Sequence, residues 1–199
     1  QLVAVSLYKQ NNIEILSVVD DVIMSVRTIK TKHSCDGIAA AGNGEIVVND
    51  YCGNEKSQLS VITTTGDVKY LHQYESPYYK ESYVVMNNTK TRVYVSVSTM
   101  NSLLCFDMNG RKQFTYGPDN LRDPHGVAVD RYDNIYVLGY SSNNIHQLSP
   151  DGSALQVITS GVPKWPWAIC IHKSKDTLII TNSADTDRKT IQIYQVKNN

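Results

Sequence analysis

The chain has 199 residues, of which 41% are aliphatic, aromatic or cysteine and 19% are charged, the composition of a folded globular protein rather than a disordered one. Basic and acidic residues number 19 each, so no global basic field draws in nucleic acid or an anionic membrane. No apolar run approaches the roughly 18 residues that span a bilayer, and the first residues carry no signal-peptide pattern, although a mature secreted chain would look the same.

Residues 1–8 (QLVAVSLY) are a β-branched-rich run that reads as a strand. A polar turn (KQNN) leads into a second strand at 13–16, and Asp20-Asp21 turns the chain into a third at 22–29. Residues 35–76 then make a complete unit of four strands, at 37–41, 45–48, 58–62 and 68–74. Its turns carry Gly42-Asn43-Gly44 and Thr65-Gly66-Asp67, the residue types that accept positive φ at little cost. Residues 77–121 repeat the plan with strands at 83–86, 93–97, 103–106 and 112–116 and an Asn109-Gly110 turn.

The clearest unit is 121–161, with short strands at 126–130, 135–138, 145–148 and 155–158 punctuated by Asp133-Asn134, Asn143-Asn144 and Asp151-Gly152. The chain closes with strands at 168–171, 178–180 and 191–196. First strands begin at about Gly37, Ser82, Gly126 and Trp167, spacings of 45, 44 and 41 residues. A period of about 40 to 45 residues with four strands per unit predicts an all-β propeller of four-stranded antiparallel blades. Gly37, 39–41 (AAA), Gly126 and Ala128 suit inner strands crowded around an axis. The tally of eighteen strands implies about four and a half blades: partial blades at 1–34 and 164–199, full ones at 35–76, 77–121 and 122–163. The first partial blade lacks its inner strand and the last its outer one, so the chain reads as a fragment or as a ring completed by more sequence or a partner. Unpaired edges of this kind invite self-association.

The unit at 124–152, P-H-G-V-A-V-D-x-x-x-N-I-Y-V-x-x-x-x-x-N-N-I-x-x-x-x-P-D-G, resembles an NHL repeat, with weaker echoes in the other blades. The resemblance implies an NHL-type propeller similar to the C-terminal domains of TRIM-NHL proteins. There, upstream modules supply ubiquitin-ligase chemistry and the propeller recognises the substrate. It also brings in the peptidyl-amidating lyases, in which a histidine after proline at the place of His125 helps hold zinc. The matching positions here are Asp36, Glu81 or Ser82, and Pro166, so the set of three imidazoles is absent and no metal site or cofactor is expected. His33, Asp36 and His125 are the trio that would have to converge. His125 reads more simply as a turn residue, and His72, His146 and His172 as strand residues that pack locally or face solvent.

In a propeller, the loops between blades and those between second and third strands gather on one face. That places Tyr51, Tyr78, Tyr79, Lys80, Arg122, His125, Tyr140, Asn143, Lys164, Trp165, Trp167 and Arg188 on a common surface, with Asn54, Thr99, Asn101, Asp185 and Asp187 beside them. Tyr, Trp and Arg dominate binding hot spots because they bury large areas at small entropic cost. The expected function is a non-catalytic module that binds a protein or peptide through this face. The alternatives are an RNA-binding NHL domain, whose candidate cations Lys9, Lys80, Arg122, Lys164, Arg188 and Lys189 are diluted by Glu75, Glu81, Asp123, Asp185 and Asp187, and a metal-dependent enzyme of amidating-lyase or lactonase type. No GxSxG elbow and no phosphate-cradling loop is present. Four cysteines without a CxxC point to reduced, mostly buried thiols and a cytoplasmic compartment, with Cys35 and Cys52 near one another across a hairpin. Asn87-Asn88-Thr89 is a glycosylation sequon at a turn.

Overall fold

A computed structural model describes residues 2–7, 10–76, 82–172, 174–175, 177–183 and 190–195. Its eighteen described strands form five antiparallel meanders. Sheet one has β1 (Leu2–Leu7), β2 (Asn12–Val19) and β3 (Val22–Lys30). Sheet two has β4 (Ser34–Gly42), β5 (Glu45–Gly53), β6 (Lys56–Thr63) and β7 (Val68–Glu75). Sheet three has β8 (Ser82–Met86), β9 (Arg92–Val97), β10 (Ser102–Asp107) and β11 (Lys112–Tyr116). Sheet four has β12 (Pro124–Val129), β13 (Ile135–Gly139), β14 (Asn144–Leu148) and β15 (Ala154–Ile158). Sheet five has β16 (Pro166–His172), β17 (Thr177–Asn182) and β18 (Ile191–Gln195).

The chain is thus an all-β propeller of five blades, two of them three-stranded, rather than four and a half. Each three-stranded sheet counts as a blade because it buries a full face against its neighbour: Ile13, Ile15 and Ile29 against Ile46 and Val48, and Leu178 and Ile180 against Tyr136 and Leu138. Only residues 31–33 separate β3 from β4, too few to cross a nine-residue strand, so β3 ends where β4 begins. With β2 between them, β1 therefore runs in the opposite direction to β4, the direction of a second strand.

Strand alternation explains the near-continuous apolar runs. On β5, Val47 packs toward sheet three while Ile46 and Val48 pack toward sheet one. On β13, Ile135 and Val137 face sheet three while Tyr136 and Leu138 face sheet five. A strand sandwiched between two sheets needs both faces apolar. Outer strands have no such need, and Val22, Val68, Tyr70 and Leu155 are exposed.

The inner strands β4, β8, β12 and β16 line a shared axial cavity of about 350 Å³. They approach so closely that a Cβ on Gly126 would lie 2.8 Å from Ile169 N, and one on Gly37 2.7 Å from Ser82 O. Small residues on the inner strands are therefore a steric requirement. The two-residue turns behave as their chemistry dictates: Asn43-Gly44, Asp20-Asp21 and Asn54-Glu55 all take positive φ at both positions.

On the end of the propeller away from the linkers between sheets, which we call the lower face, a basic side chain reaches from each of sheets one, two and three to a turn carbonyl of the next. Arg27 Nη1 donates to Thr64 O at 2.7 Å, Lys69 Nζ to Met108 O at 3.4 Å and Arg92 Nη1 to Pro150 O at 2.5 Å. Asn88 adds bonds from its backbone and side-chain amides to Asp133 Oδ1 at 2.7 and 2.6 Å. The sequon asparagine, Asn87, is buried, and its amide nitrogen donates to Thr89 and Thr91 hydroxyls, which turns the glycan-accepting atom inward.

Candidate functional site

The opposite, upper face carries the linkers between sheets and the connections from second to third strands. One device recurs there. Asn101, at φ 49°, accepts the Asp123 backbone N–H on its Oδ1 at 2.7 Å, and Asn143, at φ 53°, accepts that of Trp165 at 2.7 Å. Asn11, at φ 50°, accepts the Ser34 hydroxyl at 2.9 Å. Backbone bonds complete the clamps, with Tyr140 N donating to Asp123 O and Ser183 N to Trp165 O. Asparagine serves because it tolerates the left-handed region and carries a short acceptor. Asn143, expected to contact a partner, also serves as a structural post. It holds Trp165 at φ 51°, with 38% of that residue exposed.

The structure gathers His125, Tyr140 and Trp167 into one aromatic cluster. The His125 ring lies 4.4 Å from Trp167, 4.6 Å from Tyr140 and 5.8 Å from Tyr83, centroid to centroid. A register shift between Pro124 and Val127 turns His125 into this position at the top of β12. The imidazole is buried rather than a surface turn residue, and its Nε2 lies 3.6 Å from Asp123 Oδ1. Asp123 Oδ2 accepts from the Ser141 hydroxyl at 3.3 Å.

Beside this cluster, between sheets three and four, lies an open cleft of about 680 Å³. Ser98, Thr99, Asn101, Asp119, Arg122 and Asp123 are among its walls, and Asp123 is shared with the aromatic cluster. Arg122 is exposed, with its backbone N–H on the Ser142 hydroxyl and its Nε donating to Asp119 O at 3.3 Å. Ser98 Oγ and Thr99 Oγ1 are buried with no hydrogen-bond partner among the described residues.

The remaining expected contacts disperse. Tyr51 is half-buried on β5 opposite Ser34, at the boundary of sheets one and two, and Lys164 is exposed on the last linker. Tyr78, Tyr79, Lys80 and Arg188 lie outside the described residues. Sequence reasoning passed over Ser98, Asp119, Ser141 and Tyr83. The first three are small polar loop residues with no distinguishing pattern, and Tyr83 was absorbed into a strand.

Two further polar groups are buried away from this face. Asp50 is 5% exposed opposite Cys35, and burial pushes its carboxyl up to about 6. His146 is fully buried, with Nδ1 2.7 Å from the Tyr116 hydroxyl, and burial holds its pKa below the usual value. All four cysteines are free thiols, but only Cys35 and Cys105 are buried; Cys52 is half-buried and Cys170 exposed, which corrects the expectation of mostly buried thiols. Among the described residues no three His, Cys, Asp or Glu side chains are arranged to hold a metal, and no helix is long and apolar enough to cross a membrane.

A family model described as SBBP, a beta-propeller repeat, matches residues 110–146. That match supports a propeller repeat but not the narrower NHL or TRIM-NHL assignment. No curated protein matches the sequence. Among solved structures, a streptogramin B lyase is similar over 100% of this chain and 68% of its own, at 17% identity and a TM-score of 0.69. A catalytically inactive histidine-to-alanine variant of virginiamycin B lyase from Staphylococcus aureus, with quinupristin, is similar over 94% of this chain and 64% of its own (15% identity, TM-score 0.65). A luciferin-regenerating enzyme is similar over 95% and 69% (15% identity, TM-score 0.66). At such identities the likeness establishes the fold alone, and the chain spans about two thirds of each of these proteins.

Proposed function

We propose that this propeller is a non-catalytic binding module that recognises a protein or peptide through its upper face. The observation that carries the reading is the cleft between sheets three and four, flanked by the His125, Tyr140 and Trp167 cluster and by exposed Arg122. A polar groove beside half-buried aromatic rings offers a peptide backbone hydrogen bonds and its side chains apolar contact area. The NHL-type reading of the blades rests on the 124–152 motif, and a role in substrate recognition for a TRIM-type ligase rests on that resemblance alone. RNA has less support, because Asp119 and Asp123 accompany Arg122 in the cleft. Self-association belongs to the same proposal: Ile191 and Ile193 on β18 are 70% and 69% exposed. A reducing cytoplasmic compartment suits four free thiols.

The test is binding to an array of immobilised peptides by the protein and by its Tyr140→Ala and Trp165→Ala variants. Loss of binding in either variant, with an unchanged thermal melt, supports the module; identical binding by all three counts against it.

A second reading, an enzyme, is favoured by the Asp123–His125 pair at the edge of the cleft and by the lyase neighbours, one of which a histidine-to-alanine change inactivates. Incubation with quinupristin and mass spectrometry of the product distinguishes it. A new product that disappears in His125→Ala favours the enzyme, and unaltered quinupristin favours the binding module.

A further inference from the structure

Resting on the peptide-binding reading of the upper face, we infer that the cleft between sheets three and four is a carboxylate subsite. It takes either the C-terminal carboxylate of a bound peptide or an Asp or Glu side chain within it.

The donors are Arg122, Ser98 and Thr99, all on the cleft walls. Ser98 is 5% exposed and its Oγ has no hydrogen-bond partner among the described residues; Thr99 is half-buried, but its Oγ1 is likewise enclosed and without a partner there. Enclosed hydroxyls are almost always paired, because an unpaired one forfeits its bonds to water without replacement. Neighbouring hydroxyls follow that rule: Ser102 Oγ donates to Met100 O at 2.9 Å and Ser142 Oγ to Asn144 Oδ1 at 2.8 Å. Ser98 and Thr99 depart from it together, on the walls of one cavity. Both oxygens are enclosed behind the wall, so a ligand that accepts hydrogen bonds supplies what they lack once the side chains rotate toward the cleft.

Arg122 gives that ligand its charge. Its backbone is pinned on both sides, the N–H on Ser142 Oγ and the carbonyl on Ser141 N–H. Nε donates to Asp119 O, which orients the guanidinium while its terminal nitrogens make no hydrogen bond or ion pair with a described residue. A planar guanidinium held by Nε with its outer edge open matches a carboxylate in bidentate geometry. Asp123 does not compete for it, being engaged by Ser141 and His125.

The same acids limit the ligand. Two carboxylates on the walls repel any anion, and a polyanion such as a phosphodiester chain most of all, whereas a single carboxylate embedded among neutral amides brings only one charge, which Arg122 offsets. This favours a peptide over RNA.

The experiment uses an array of hexapeptides, each made as the free acid and as the C-terminal amide, with and without Asp or Glu, followed by fluorescence anisotropy on the binders. A C-terminal source predicts loss on amidation. A side-chain source predicts binding that survives amidation and requires an acidic residue. In either case Arg122→Gln weakens binding by roughly tenfold or more, Arg122→Lys by less, and Ser98→Ala or Thr99→Val by about threefold each. Arg122 is exposed, so Arg122→Gln tests the idea even where Ser98→Ala disturbs the fold, and circular dichroism melts check each variant. Peptides that bind the protein and Arg122→Gln equally, indifferent to amidation and acidic residues, overturn the carboxylate subsite and leave the peptide-binding face standing. Failure of folded protein to bind any peptide overturns both.

Discussion

Replacing Asp50 by Asn should stabilise this protein at neutral pH and remove part of its pH dependence. Asp50 lies on β5 opposite Cys35, 5% exposed, and its Oδ1 has no hydrogen-bond partner among the described residues. Burial disfavours the charged form and raises the carboxyl from an ordinary 3.8 to about 6. A group whose folded pKa lies above its unfolded value contributes stability that is fully present below the unfolded value and is lost as pH rises through the folded one. The window therefore runs from about pH 4 to about pH 6, and a shift of that size corresponds to about 3 kcal/mol. For a domain of this length that is roughly 6–12 °C in Tm. Thermal melts of the protein and of Asp50→Asn, at half-unit steps from pH 4 to pH 7.5, isolate the term, because every other titrating group cancels in the difference. The two should melt together near pH 4, diverge progressively up to about pH 6 and keep a constant gap above it, with the variant the more stable. Parallel profiles across the range would refute the burial of an ionised Asp50.

Other outcomes follow from the same packing. Gly126→Ala places a methyl against the backbone of β16 and should cost about 1–3 kcal/mol, a lower Tm measured by circular dichroism; an unchanged Tm would mean that β12 and β16 are not so close. Thiol labelling with peptide mapping at pH 8 should modify Cys170 first and Cys52 more slowly, with Cys35 and Cys105 reacting only after denaturation. Burial pushes the Cys105 thiol up to about 12 and raises the Cys35 thiol well above its ordinary value, which reinforces that order. Labelling of Cys35 at the rate of Cys170 would contradict the packing of sheets one and two.

The meanders could be read from the chain because their signals are local. Asn43-Gly44 needs only its own backbone to turn, and the unbroken apolar run Ile46-Val47-Val48 on β5 declares two buried faces. Strand starts were read late because Pro124-His125-Gly126 looks like a turn. Only the pairing of Pro124 with Gly139 shows that the strand already began there and then shifted register. The structural duty of Asn143 has no local signature because its partner, the Trp165 backbone, lies 22 residues away. His125 was judged by the zinc ligands it lacks, whereas its actual neighbours, Tyr83, Tyr140 and Trp167, come from three different sheets. The cleft was invisible for a related reason. Two hydroxyls without partners are defined by what surrounds them, and no local pattern distinguishes Ser98 from the other serines.

The chain of cationic side chains along the lower face has an evolutionary consequence. Arg27, Lys69 and Arg92 each tie one sheet to a turn carbonyl of the next, so the first four blades are braced from below. The upper loops are then relieved of that duty beyond their asparagine posts. Their lengths and side chains are free to diverge while the floor keeps its pitch, and a new ligand preference can arise by exchanging a linker without re-engineering the ring.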